Sequence, residues 1–364
     1  MIKKVLIVTD FYNPHKSGIT TYIDYMIDTI KNKGHKITIL TTLHEHDLKK
    51  NEIINDIEII RCKPTIKLSR GFYSIDLVFK FIKIYKNFNL VNIHYPLVEI
   101  FPIIFLTNKS KTIINYHCLP YFSFYAKFIT FYFYMFGLFS ILKSKKIITL
   151  SNDYQESIPL HKYFNKKIYE IPPYISISSH GFNSKTNNTR ITIGYLGRLS
   201  NEKGLEYLID ASNKLEENEI DHKLIIAGDN TDTRFQKYIQ RLQKISNKNV
   251  YFLGKINEKE KKEFYQNLDI FILPSINSLE AFGIVQLEAM SFGIQVIASN
   301  IYGVRSIINN TKNGYLFKNK NTDDLYKKIL ICKKKPIPSH KVKQNVITYY
   351  NKEKFEKNIL KLFS

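Results

Sequence analysis

Short apolar runs rich in β-branched residues alternate with stretches of helical periodicity along almost all of this chain. Val5–Thr9 is the first run and predicts a strand ending at Asp10. Ile19, Tyr22, Ile23, Met26, Ile27 and Ile30 follow at helical spacing, and Gly34 closes the turn. Further strands are predicted at Lys36–Thr41, Ile57–Cys62, Leu90–His94, Thr112–His117 and Lys146–Leu150. Helices are predicted between them at Tyr73–Tyr85, Val98–Leu106, Tyr121–Leu142 and Asn152–Tyr163. Strands interleaved with helices of this length imply crossover units and a parallel sheet.

The alternation stops at Ile171-Pro172-Pro173 and restarts at Ile191. Between them Ser176–Arg190 is polar and aperiodic, which marks a linker. Strands are then predicted at Ile191–Leu196, Lys223–Ala227, Val250–Leu253, Ile270–Leu273, Gln295–Ala298 and Tyr315–Phe317. Helices are predicted at Leu205–Leu215, Thr233–Ile245, Glu258–Leu268, Gly283–Phe292, Val304–Ile308 and Thr322–Leu330. The expected organisation is α/β: two doubly wound, Rossmann-like domains, residues 1–175 and 191–341, joined by linker 176–190 and facing each other across a cleft. A helix over 342–364 closes the chain and is expected to cross back to the first domain.

The 364 residues hold 54 Lys+Arg against 32 Asp+Glu, formally +22, which raises nucleic acid or an anionic membrane as partner. The lysines are dispersed among abundant Asn and Ile, and no aromatic–basic motif of a nucleic-acid reader occurs, so nucleic acid is not expected. Three cysteines without metal or CxxC spacing fit a reducing compartment. The apolar start stops at Asp10 without a cleavage site, so it reads as a strand in a cytoplasmic protein. No GxGxxG or Walker loop is present, and no His/Cys cluster supports a metal.

Candidate chemistry gathers at the carboxyl ends of predicted strands, where open α/β sheets bind ligands. In Ser275–Ser291, Glu280 falls in a loop and Glu288 lies eight positions later, inside a helix that starts after Phe282-Gly283. Gly283 permits close backbone approach, and the helix start offers unpaired N–H groups to an anion. In Ile193–Gly204, Arg198 and Lys203 follow a strand and form a diphosphate clamp, the guanidinium as a fork and the ammonium as a point charge. Gly18 ends the first loop at a helix start, and His117 ends the strand Thr112–His117, positioned to bond a substrate or move a proton. Solvated surface charge, a plain turn and a structural histidine account for the same residues one at a time.

The segments IGYLGRLSNEKG, LIIAGDN, VYFLGKI, DIFILPS, the Glu280/Glu288 pair and SFGIQVIAS occur in one order. In that order the chain resembles the family 4, group 1 retaining glycosyltransferases, which implies the GT-B fold. By that resemblance Arg198 and Lys203 would bind the donor pyrophosphate. Glu280 would meet the transferred sugar, with the backbone near Phe282-Gly283 assisting. Glu288 would take the ribose hydroxyls, and Lys255-Ile256 would lie near the base. Gly18 would lie near the donor phosphate and His117 near the sugar. No cofactor and no metal would be required, the cations and helix dipoles neutralising the diphosphate. This chain departs from the family at Ser17-Gly18, where two glycines are common, at Pro173–Ser176, and at Ile294-Gln295, where a proline is common.

Phe128 to Leu142 is a run of fifteen residues without a charge, with aromatics on more than one helical face. It is shorter than the ~20 residues that span a bilayer. Lys127 precedes it and Lys143, Lys145 and Lys146 follow, so residues 119–146 are expected either to dock on an anionic membrane or to form a buried helix. The leading expectation is a metal-independent hexosyltransferase that takes a nucleotide-sugar and a glycan or lipid-linked acceptor in cell-surface glycan synthesis. A sugar-nucleotide epimerase and a non-catalytic basic membrane-binding protein are the alternatives.

Overall fold

Val5, Leu6, Ile7 and Val8 are wholly buried in β1 (Lys4–Val8), the inner strand on which the first sheet is built. The computed structural model describes residues 2–68, 71–119, 127–158, 161–176, 190–231 and 233–363. The linker expected at 176–190 falls outside them except at its ends, as do residues 120–126 of the expected helix Tyr121–Leu142. Two units make up the chain, Met1–Pro173 with Glu353–Ser364, and Tyr174–Lys352.

In the first unit β1 is followed by α1 (Gly18–Lys31), β2 (Lys36–Thr42), β3 (Asn51–Ile54), β4 (Ile57–Cys62), the hairpin β5 (Ile66–Leu68) and β6 (Gly71–Tyr73), and α2 (Ile75–Ile84). Then come β7 (Leu90–Tyr95), α3 (Ile100–Leu106), β8 (Thr112–Tyr116), α4 (Lys127–Lys143), β9 (Lys146–Thr149), α5 (Asn152–Gln155), α6 (His161–Phe164) and β10 (Ile168–Glu170). The sheet order is β10-β9-β8-β7-β1-β2-β4-β3, parallel except for β3.

The second unit holds β11 (Ile191–Leu196), α7 (Leu205–Glu217), β12 (His222–Ala227), α8 (Gln236–Ile245), β13 (Val250–Gly254), α9 (Glu258–Gln266) and β14 (Ile270–Leu273). It continues with α10 (Ile284–Ser291), β15 (Gln295–Ser299), α11 (Val304–Thr311), β16 (Gly314–Phe317), α12 (Thr322–Lys334) and α13 (Ser339–Tyr349). Its sheet is parallel throughout, ordered β13-β12-β11-β14-β15-β16.

The strands missed by pattern are short: edge strand β3, the hairpin β5–β6, and β10. The expected helix Asn152–Tyr163 is two, α5 ending at Gln155 and α6 starting at His161, with residues 159–160 outside the described ones. The expected helix 342–364 is also two. Tyr350, at φ −120 and ψ 50, leaves helical geometry, and α14 (Lys352–Phe363) starts anew. Val342 and Val346 of α13 are buried in the second unit, where Asn313 Nδ2 donates to Val342 O at 2.8 Å. Phe355, Ile359, Leu362 and Phe363 of α14 are buried in the first, with Phe355 edge-on to Tyr22 at 5.6 Å. Lys3 and Lys146 donate to the carbonyls of Phe363 and Leu362, satisfying the end of α14.

The loop after β1 is held by a buried charge. Arg61 pairs with Glu52 and donates from Nη2 to Asn13 O at 2.8 Å, and its side chain is 1% exposed. Tyr12 and Asn13 both donate to Asp24 of α1. Replacing Arg61 with Ala strands the Glu52 carboxylate and frees the loop, so urea unfolding should show a loss of about 3 kcal/mol. A loss within ordinary surface variation would mean that Arg61 does not anchor the loop.

Candidate active site

In the second sheet the connections step one way from β11 to β13 and the other way from β14 to β16, so the topological switch lies between β11 and β14. Loops at the carboxyl ends of strands flanking such a switch form the ligand crevice of a doubly wound sheet. The loop after β11 carries Arg198 and Lys203; the loop after β14 carries Glu280, Phe282 and Gly283. The structure brings these residues together, and it is backbone that draws the loops in. Ile276 N donates to Glu202 O at 2.9 Å. Gly204, at φ +62, leaves no room for a side chain, since a Cβ there would lie 2.4 Å from Pro274 O.

Across this junction Lys203 Nζ meets Glu280 Oε2 at 2.5 Å, each side chain 15% exposed, and Ser275 Oγ donates to the same oxygen at 3.3 Å. Arg198 is different. Its side chain is 61% exposed, and its guanidinium lies 3.9 Å from the buried Glu202 carboxylate. Below it Tyr195 donates its hydroxyl hydrogen to Arg198 O at 2.8 Å; burial, then the charge of Glu280, raises that phenol well above its usual range. Gly283 begins α10 at φ +81 with no side-chain cap, so the first N–H groups of the helix remain for a ligand. Phe282 is buried, its carbonyl taken by Gln286 Nε2 at 3.1 Å, so only its backbone stands at the site.

Glu288 lies further along α10 and is held from α9. Lys261 Nζ donates to its Oε1 at 3.1 Å and Tyr265 to its Oε2 at 2.9 Å. Burial works against the Lys261 charge, but Glu288 and Glu258 together outweigh it and raise the ammonium pKa; burial and then Glu288 raise Tyr265 well above the usual phenol range. Pattern reading missed Ser275, Lys261 and Tyr265. The last two stand four positions apart on one helical face, a signal that was present but pointed to no partner.

In the first sheet the switch falls between β1 and β7. Gly18 follows the β1 loop as the first residue of α1, behind Ser17, whose hydroxyl accepts from Thr20 N at 3.2 Å. Ser17, where the resembled family commonly has glycine, is thus the helix cap here. Asp10 and Glu99 flank the same switch. Burial and the Glu99 charge raise Asp10 well above the carboxylate range, and burial brings Glu99 to about 7.

His117 follows β8 and is buried, stacked on His94 with ring centroids 5.0 Å apart. The polar chain around it determines its tautomer. Asn115 Nδ2 donates to Asn92 Oδ1 at 2.8 Å, so that oxygen is an acceptor. His94 Nε2 lies 2.8 Å from the same oxygen and therefore carries its proton. Neutral His94 then accepts at Nδ1, and His117 Nε2 donates to it across 2.8 Å. His117 is left with an unprotonated Nδ1. Burial pushes His117 down to about 3, and burial and His117 push His94 well below the imidazole range.

A groove of about 710 Å³ lined by Lys4, Lys31, Lys36 and Lys80 contains none of these residues.

Residues 177–353 match the model of the Glycosyl transferases group 1 family, and residues 16–179 that of Glycosyltransferase Family 4. The chain belongs to these glycosyltransferases. An uncharacterized glycosyltransferase of Methanocaldococcus jannaschii is 27% identical over 88% of this chain and 87% of its own. The phosphatidylinositol N-acetylglucosaminyltransferase gpi3 subunit of Schizosaccharomyces pombe is 23% identical over 83% of this chain and 67% of its own. An Anabaena protein, HepE, solved in complex with UDP-glucose, superposes with a TM-score of 0.74 at 16% identity, covering 99% of both chains. This glycosyltransferase has the GT-B fold, with parallel sheets in two domains.

The two depressed imidazoles give a pH dependence. The unfolded chain protonates them below about pH 6.5, while the folded protein keeps them neutral, so stability falls as pH falls through that window. Each contributes at most about 1.4 kcal/mol per pH unit. Urea midpoints at about pH 7 and about pH 5 should show a steeper loss in the wild type than in the His94→Gln/His117→Gln protein. Parallel losses would contradict the assignment.

Proposed function

We propose that this glycosyltransferase moves a sugar from a nucleotide-sugar to a glycan or lipid-linked acceptor, with retained anomeric configuration and no metal. The observation that carries the reading is the cation pair at the switch of the second sheet: exposed Arg198 beside Lys203, whose counter-charge Glu280 stands in for a ligand. A diphosphate arriving at the bare start of α10 would draw Lys203 to itself and release Glu280 toward the sugar hydroxyls. Glu288, oriented by Lys261 and Tyr265, would accept from the ribose hydroxyls. The roles of Gly18 toward phosphate and of His117 toward the sugar rest on the family resemblance. The tautomer adds that His117 would accept a sugar hydroxyl at Nδ1.

In the transfer the bond from anomeric carbon to diphosphate oxygen breaks as the acceptor oxygen bonds to that carbon on the same face. The acceptor proton passes to the leaving phosphate. Arg198, Lys203 and the helix dipole neutralise the charge that develops there, the task a metal performs elsewhere. The UDP-glucose complex of HepE supports a uridine donor class, and the name of the fission-yeast relative supports a lipid-linked acceptor. We place the protein in the cytoplasm, peripheral to an anionic membrane through residues 119–146, in cell-surface polysaccharide or glycolipid synthesis.

Thermal melting with UDP-, GDP- and ADP-sugars tests the donor site. One nucleotide class should raise the melting temperature of the wild type and not of Arg198→Ala/Lys203→Ala or Glu288→Ala. Donor turnover should fall about 100-fold in Glu280→Ala. If no nucleotide-sugar stabilises the wild type, the reading is wrong.

A further inference from the structure

The steps β4 to β7, β7 to β8 and β8 to β9 all run the same way across the first sheet. Right-handed crossovers therefore place α2, α3 and α4 side by side on one face, and α1, whose strands step the other way, on the opposite face. Each of the three turns an apolar stripe inward: Leu77 and Phe81 on α2, Ile103 and Ile104 on α3, Phe133 and Ile141 on α4.

Their outward sides are apolar as well. Ile75, Phe79 and Ile82 fall on one stripe of α2 and all three are exposed. Phe101 and Phe105 repeat this one turn apart on α3. On α4, Phe128 is 88% and Phe131 63% exposed, so this helix is not the fully buried element that was one of its two expectations. Rings link α3 to α4, Phe101 against Phe136 at 4.5 Å and Phe105 against Phe139 at 5.6 Å, and α2 packs beside α3. Isolated exposed apolar residues are ordinary; an exposed apolar face carried by three neighbouring helices marks an interaction surface.

Charge says what covers it. The carboxyl ends of α2, α3 and α4 lead into the amino ends of β7, β8 and β9, and exposed Lys83, Lys86, Lys109, Lys143 and Lys145 line that edge. From Ile75 to Lys111 the only acids are Asp76 and Glu99, and Glu99 is buried; from Phe128 to Lys146 there is none. A second copy paired through this same patch with its helices parallel would bring matching lysine rows toward each other.

We propose that the α2–α3–α4 face docks on an anionic lipid bilayer, its aromatics entering the headgroup and acyl boundary and its lysine edge meeting lipid phosphates. The docking surface is then three helices and not residues 119–146 alone. No helix among the described residues is long and apolar enough to cross a membrane, and peripheral docking needs none. The use of such docking rests on the lipid-linked acceptor proposed above, but lipid binding is measurable without any nucleotide-sugar, so the two readings fail separately.

The full chain is floated with vesicles of phosphatidylcholine alone and of phosphatidylcholine with phosphatidylglycerol in equal parts, beside Phe79→Ser/Phe131→Ser and Lys83→Glu/Lys109→Glu. These side chains are exposed, so both variants should melt with the wild type. The wild type should float with the anionic vesicles only. Each variant should partition about tenfold less or weaker still, given the gain of roughly a factor of five per basic residue near such a surface. Absence of wild-type flotation overturns the proposal, as does unchanged flotation of the folded Phe79→Ser/Phe131→Ser protein. So does light scattering that shows a wild-type dimer which the same substitutions dissociate, because the face would then belong to a second copy.

Discussion

Lys203 and Glu280 lie 77 positions apart in sequence and share one ion pair at the switch between β11 and β14. Each is only 15% exposed, so removing either leaves a largely desolvated charge without its partner. That constraint explains the local backbone. Gly204 must be glycine to let the first loop reach Pro274 O, and Ile276 N ties the second loop to Glu202 O. The pair is also a reserve of charge. In the proposed reaction a diphosphate would offer Lys203 more negative charge than one carboxylate does, and the exchange would deliver Glu280 to the sugar at the same moment.

The first unit handles polarity in the opposite way. His94 and His117 are buried and neutral, with Asn92 and Asn115 fixing where each proton sits. Such a chain orients a hydrogen-bond acceptor without placing charge beside it. Arg61 performs the mechanical part, tying the loop after β1 to Glu52 and Asn13 while Ser17 caps α1.

Much of this was legible in sequence, because buried parallel strands are short apolar runs and their crossover helices are amphipathic. β11 and β14 lie where the pattern placed them, and the site loops follow from strand ends. What escaped has two physical causes, shortness and dependence on partners distant in sequence. β3 and the hairpin β5–β6 pair locally but are three or four residues long, too short to show a period, whereas β10 is defined by its pairing with β9 more than by its own composition. Lys261 and Tyr265 read as an ordinary helical face until Glu288 is opposite them. His94 looked like the end of a strand, and its role exists only because β7 and β8 pair with His94 beside Asn115. The break at Tyr350 is decided by which unit each half of the closing segment is buried in, which periodicity within one segment does not encode.

In the proposed reaction Lys203 is held by Glu280 until a diphosphate replaces it. Calorimetric titration of UDP, GDP and ADP into the wild type, Glu280→Gln and Lys203→Ala separates that exchange from a fixed tie. Glu280→Gln removes the competing carboxylate and leaves the ammonium, so it should bind its nucleoside diphosphate at least as tightly as the wild type. Lys203→Ala should bind about tenfold more weakly, the loss of one charge-assisted contact. Equal weakening in both variants would contradict the exchange and make the ion pair a structural tie alone.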